Sequence, residues 1–77
     1  TYLFSARLEV EFLNEKHNLQ IPESDSYTTL GGYIVNHTKE IPINEEKIII
    51  ENFEIIIHSA SNKKIELVRF SIKEEKR

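Results

Sequence analysis

The chain opens on "TYLFS", an apolar, β-prone run that predicts a first strand. In the next stretch, "ARLEVEFLNEKHN", two periods compete. Leu8, Val10 and Phe12 alternate with Glu9 and Glu11, which is the period of a strand. Ala6, Val10, Leu13 and His17 instead fall on one helical face. Glu, Leu and Lys favour helix, so the reading is a helix from Leu8 to His17, with Asn18 as a left-handed residue closing it. Leu8 and Phe12 would then form a second apolar stripe, covered on its own side. "LQIPESDS" is a connector, with Ile21 held extended by Pro22. Leu30, Ile34 and His37 predict a second helix, Thr29 to Thr38, with Thr28 as its N-cap. Ile41 before Pro42 ends it.

The remainder alternates as β. "KIII" and "FEIII" are joined by Glu51-Asn52, the length of a tight hairpin but without its usual glycine. "SASNKK" makes the next turn, and "IELVRFSI" is the last strand. Ile65 and Leu67 are in one phase, and Val68, Phe70 and Ile72 in the other, which predicts a β-bulge near Leu67-Val68. The expected architecture is α+β in the order β-α-α-β-β-β, a small antiparallel-rich sheet with two helices on one face. The domain would run over 1–72, followed by a charged tail, 73–77.

Seventy-seven residues allow one domain with a thin core, supplied largely by isoleucine. With no cysteine there is no disulfide, thiolate metal site or thiol nucleophile. A net charge of −3 argues against a nucleic-acid groove, and no apolar run is long enough to span a bilayer. A start at Thr1, at once strand-like and with no signal peptide, reads as the cut edge of a larger protein.

Chemistry-bearing residues are few. The two glycines, Gly31 and Gly32, lie near the start of the second helix, where each costs roughly 0.8–1 kcal/mol relative to alanine. The reading is close packing of the helix backbone, with Thr28 and Thr29 offsetting part of the loss by capping. The competing reading is a phosphate cradle on the helix amides. Neither a G-x-G-x-x-G nor a G-x-x-x-x-G-K-[ST] pattern is present, and no Lys or Arg occurs between Ile21 and Lys39. His17, His37 and His58 lack metal-site spacing; His17 and His37 are expected as half-buried ring packers on the apolar helix faces. Glu23/Asp25, Glu45/Glu46 and Glu51/Glu54 are expected as solvated loop charge, with no metal ligand among them. No nucleophile elbow or deep carboxylate pair is evident, so no catalytic residue and no cofactor are expected. The runs Ile48–Ile50 and Ile55–Ile57 are apolar on both strand faces, whereas helices cover one. Ile49 and Ile56, or their neighbours in the true register, are therefore expected at an interface with a neighbouring domain or a second copy.

Three phrases occur in order: "SARLEVEFLNEKHNLQIPESDSYTTLGGYIV", with its "Y-x-T-l-x-G"; "EIP-INEEKI"; and "F-E-I-I-I…K-K-I-E-L-V". Together they resemble the transporter-associated domain of the CorC/HlyC, hemolysin-like family, over Tyr2 to Ile72. Thr29, Leu30 and Gly32 match "T-l-x-G", while Glu45 stands where the pattern has glycine. The resemblance implies a fold grouped with FAD-binding domains, although a shared fold does not carry its chemistry. It implies a non-catalytic accessory domain of a bacterial membrane-associated transporter of the magnesium/cobalt efflux type. Its partners would be a CBS domain pair and a membrane module of the same chain, with a homodimer as a further option. The domain would sit on the cytoplasmic side of the inner membrane. The alternative function is a flavin- or nucleotide-binding module, supported by fold grouping alone.

Overall fold

The opening strand does not pair with its sequence neighbour. Tyr2 to Ser5 run antiparallel to the last strand, with Tyr2 opposite Phe70 and Phe4 opposite Val68. The structure, a computed structural model, describes residues 1–73, so most of the predicted tail lies outside the described residues. Among these residues the elements are β1 (Tyr2–Ser5), α1 (Val10–His17), α2 (Leu30–Thr38), β2 (Lys47–Ile50), β3 (Phe53–Ala60) and β4 (Ile65–Ile72). The sheet order is β1-β4-β3-β2, antiparallel throughout. This is the expected α+β architecture, with the first strand placed beside the last.

The alternation of the strands decides which face is covered. Phe4, Val68, Phe70, Phe53, Ile55, Ile57, Ile48 and Ile50 point to one side and are buried. They join Val10 and Leu13 of α1 and Leu30, Tyr33 and Ile34 of α2 in a single core. Phe70 is fully buried at the centre, its ring 5.7 Å from Phe4 and 5.0 Å from Phe53. Burying one such ring contributes about 1.5–3 kcal/mol before packing geometry is added.

Several expectations shift by a residue or two, each for a local reason. α1 begins at Val10, not Leu8, because Leu8 and Glu9 lie extended against Thr28 and Thr29. The Val10 amide donates to the Thr28 carbonyl and the Leu30 amide to the Leu8 carbonyl, each at 2.9 Å. Phe12 therefore belongs to no second covered stripe and is exposed. Asn18 does close α1 in the left-handed region, with φ 56° and its amide on the Asn14 carbonyl. The Asn14 side chain also holds the connector, accepting from the Ile21 amide and donating to its carbonyl, both at 2.8 Å.

Predicted irregularity in β4 falls one step earlier and is shared. Val68 faces Ile57, Leu67 faces Ser59 and Ile65 faces Ala60, so His58 on β3 and Glu66 on β4 are each an extra residue. The two bulges compensate, returning Ile65 to the buried side with Val68 and Phe70. The hairpin between β2 and β3 has Glu51 at φ 55°, taking the place glycine usually fills.

His37 is exposed rather than packed. His17 is half-buried, but its ring meets the β1 aromatics, 4.8 Å from Tyr2 and 5.2 Å from Phe4.

Candidate functional site

Two surfaces gather the residues singled out by the sequence. The first surrounds the start of α2. Thr29, not Thr28, is the N-cap: it is extended, and its hydroxyl oxygen accepts the Gly32 amide at 3.1 Å. Thr28 is displaced from that role because its carbonyl is engaged by Val10 in the bridge to the first half of the chain. The remaining first-turn amides are also occupied. Leu30 donates to the Leu8 carbonyl, Gly31 to the Ala6 carbonyl and Tyr33 to the Thr29 carbonyl, each at 2.9 Å. A phosphate cradle needs these N–H groups free; here they are consumed within the chain.

The glycines stand in ordinary helical conformation. Five other described residues, Asn18, Gln20, Lys39, Glu45 and Glu51, have positive φ, and neither glycine does. What Gly31 and Gly32 contribute is the missing side chain. A Cβ on Gly31 would lie 3.2 Å from the Ala6 Cβ and 3.3 Å from the Ala6 carbonyl oxygen. On Gly32 it would lie 3.1 Å from the Tyr27 Cβ.

Beside this first turn runs an open groove of about 510 Å³, bounded by α2 and the β3–β4 turn. Its floor includes Gly31, Gly32, Val35, Ile41 and Ile65, and its rim Arg7, Lys63 and Lys64. Sequence reading missed these three cations at this place, because they come from segments remote from the glycines. Pro42 is buried where the chain leaves α2 for β2, next to Ile41.

The second surface is the uncovered face of the sheet. Leu3, Arg69, Ile56 and Lys47 form one row across the four strands, and Ser71, Glu54 and Ile49 the next. Ile49 is 47% exposed and Leu3 60% exposed, while Ile56 is half-buried between Arg69 and Lys47. Arg69 donates to the Glu45 carboxylate at 3.1 Å, and Lys73 pairs with Glu54 at 3.4 Å. Glu45 has φ 70°, so a glutamate occupies left-handed backbone where the family pattern has glycine. Its carboxylate is what the glycine would lack.

Among the described residues no three His, Asp or Glu side chains cluster as a metal site. The shifted ionisable groups are tyrosines. Burial, then Glu51, then Tyr27 push the Tyr33 phenol up to about 12. Burial, then Glu51 and Glu23, also raise Tyr27, whose hydroxyl donates to the Pro22 carbonyl. The Tyr33 hydroxyl is buried and has no hydrogen-bond partner among the described residues. A stranded hydroxyl of this kind costs about 1–3 kcal/mol, so Tyr33→Phe is expected to raise stability by about 1 kcal/mol in urea titrations at pH 7. The same residue sets an alkaline limit. The folded state favours the neutral phenol, so its contribution is complete below pH 10 and disappears as pH rises through about 12. That loss is on the order of 2–3 kcal/mol, and Tyr33→Phe should flatten the fall, leaving the part due to Tyr27.

Comparison with known proteins matches residues 1–74 to CorC_HlyC, described as a transporter associated domain. The chain belongs to this family. It is 30% identical over 74 residues to "Possible hemolysin C" of Rickettsia canadensis (strain McKiel), covering 95% of this chain and 25% of that protein. The CorC_HlyC chain thus spans about a quarter of the curated relative it matches. A CorC_HlyC domain from Haemophilus ducreyi superposes with TM-score 0.76 at 19% identity, covering 96% of this chain and 97% of that one. A CorC-associated region from Neisseria meningitidis MC58, of a protein assigned as an Mg2+ and Co2+ transporter, superposes with TM-score 0.82 at 20% identity. It covers 91% of this chain and 85% of that one. At these identities the two structures establish the shared fold. Among the described residues of this CorC_HlyC chain, no helix is long and apolar enough to cross a membrane.

Proposed function

We propose that this CorC_HlyC domain is a non-catalytic accessory module of a bacterial membrane-associated ion transporter of the magnesium/cobalt efflux type. Its open sheet face docks on the remainder of its own polypeptide, the CBS pair and membrane module, at the cytoplasmic side. The observation that carries this reading is that Leu3 and Ile49 are exposed and Ile56 half-buried on the sheet face that no helix covers. Exposed apolar side chains grouped on one face mark a contact surface more often than scattered ones do. The occupant follows from length: the curated relative has about three quarters of its chain outside this domain. Regulation would come from docking differently on two states of the transporter, since a contact equal in both shifts nothing.

Because this domain has no cysteine, Ile49→Cys and Ile56→Cys each give it one thiol, whose labelling is read at that residue by mass spectrometry. Maleimide labelling is expected to be at least about tenfold slower in the full-length transporter than in the isolated domain, the factor that a contact worth about 1.4 kcal/mol would give. Equal rates would defeat the docking reading. So would protection in the isolated domain that grows with its concentration, since the occupant would then be a second copy.

A further inference from the structure

Three of the chain's positive side chains meet around an apolar hollow in a protein that is negative overall. Arg7 lies just after β1, and Lys63 and Lys64 close the β3–β4 turn. Among the described residues none that lines the groove is acidic, and the ion pairs are Arg69–Glu45 and Lys73–Glu54, both elsewhere. The three backbones are fixed. The Arg7 amide donates to the Ser5 hydroxyl, and the Lys63 and Lys64 amides to the Ser61 hydroxyl, all at 3.2 Å. The Ala6 amide on the Glu66 carbonyl, at 2.9 Å, ties the Arg7 segment to β4 beside Ile65.

We propose that this groove binds an organic anion: a phosphate or carboxylate head carried on an apolar body. Arg7, Lys63 and Lys64 meet the head, since like charges held together without a counter-charge gain when an anion joins them. The Thr29 hydroxyl adds a donor: its oxygen already accepts from Gly32, so its own proton is left for an incoming acceptor. Val35, Ile41 and Ile65 take the apolar body. Because the helix amides are all engaged within the chain, recognition rests on side chains and therefore on charge and apolar contact together. The groove volume lies within the range of small-molecule sites, roughly 300–1,000 Å³.

The probe is 1-naphthyl phosphate, titrated into the purified domain while amide resonances are followed by NMR. Saturable shifts are expected at Arg7, Gly31, Gly32, Val35 and Lys64. Binding should be about tenfold tighter than that of inorganic phosphate or 1-naphthol, the head and the body alone, and should weaken as salt is raised. The double variant Lys63→Glu/Lys64→Glu reverses charge at two exposed turn positions and should weaken binding by a further factor of about ten. Its melting curve checks that the fold is kept. Shifts scattered over the surface, unchanged affinity in a folded double variant, or inorganic phosphate binding as tightly as the probe would each overturn the proposal.

Discussion

Phe70→Ala is expected to remove about 3–5 kcal/mol of stability, the range for truncating a fully enclosed phenylalanine. For a domain of this length total stability is roughly 4–12 kcal/mol, so the variant would be largely unfolded or melt far below the parent. The size of the effect follows from position. Phe70 lies on β4, the strand that pairs with both β1 and β3, and it faces Tyr2 on one side and Ile55 on the other. Its ring contacts Phe4 and Phe53, so its loss opens a cavity between β1 and β3 at once. Backbone bonds on both flanks of β4 resist collapse of that cavity, and a site that cannot collapse bears the larger penalty. Phe70→Leu, which keeps most of the volume, should lose clearly less. Urea denaturation of both variants measures the difference; a loss under about 1.5 kcal/mol for alanine would show that the aromatic cluster is not the centre of the core.

The phase that Phe70 shares with Val68 was legible because period-2 patterning acts within one strand. "IELVRFSI" resolves into two phases by counting alone, and their break betrays a bulge, while "KIII" and "FEIII" are apolar on both faces and leave the covered one to the register. The order of the strands is not local in this way. Nothing in "TYLFS" states that it joins the final strand; that depends on which edge remains free when the meander has formed. The displaced cap has the same origin. Thr28 and Thr29 are equally good capping chemistry, and the choice is made by Leu8 and Val10, some twenty residues away, which bind the backbone on either side of Thr29. Charge around the glycines was hidden most completely. The stretch from Ile21 to Lys39 contains no interior cation, yet the fold brings Arg7, Lys63 and Lys64 to its flank.

Left-handed backbone was legible at Asn18, where a helix ends, and illegible at the other four positions. Glycine is the usual signal for positive φ, but this chain places Asn, Gln, Lys and two Glu residues there and keeps its glycines elsewhere. At Glu45 the ion pair with Arg69 compensates part of the strain, though an exposed pair contributes only about 0–1 kcal/mol. Positive φ at Glu51 fits a two-residue hairpin, where the turn geometry demands it of whichever residue stands first. Family resemblance marks one of these sites through the missing glycine; propensity alone marks neither.

Gly31→Val is expected to destabilise the domain by about 2–4 kcal/mol, although valine is the better helix former by a few tenths. The opposing contributions can be separated. A Cβ at this position lands against the Ala6 carbonyl oxygen and the Ala6 Cβ, both nearer than ordinary van der Waals contact. Ala6 cannot yield easily: it is buried, its amide is bonded to Glu66 and its carbonyl to Gly31 itself. Any retreat of α2 therefore stretches the Gly31 amide bond, worth about 1 kcal/mol, on top of the overpacking cost of about 1–3 kcal/mol. The two methyls of valine widen the clash, while alanine adds one carbon and gains up to about 1 kcal/mol of helix propensity. Gly31→Ala should consequently lose about 1 kcal/mol or less, and Gly32→Ala about as much, because its Cβ would lie 3.1 Å from the Tyr27 Cβ, an atom the backbone fixes. The series tests what the pair of glycines does. If they served flexibility or a phosphate cradle on the helix amides, every added side chain would improve an isolated helix and stability would rise. Thermal melting of the three variants decides this, since each kcal/mol shifts the midpoint by roughly 4–8 °C in a domain of this size. A valine variant as stable as the parent would mean that α2 does not need its backbone held against Ala6.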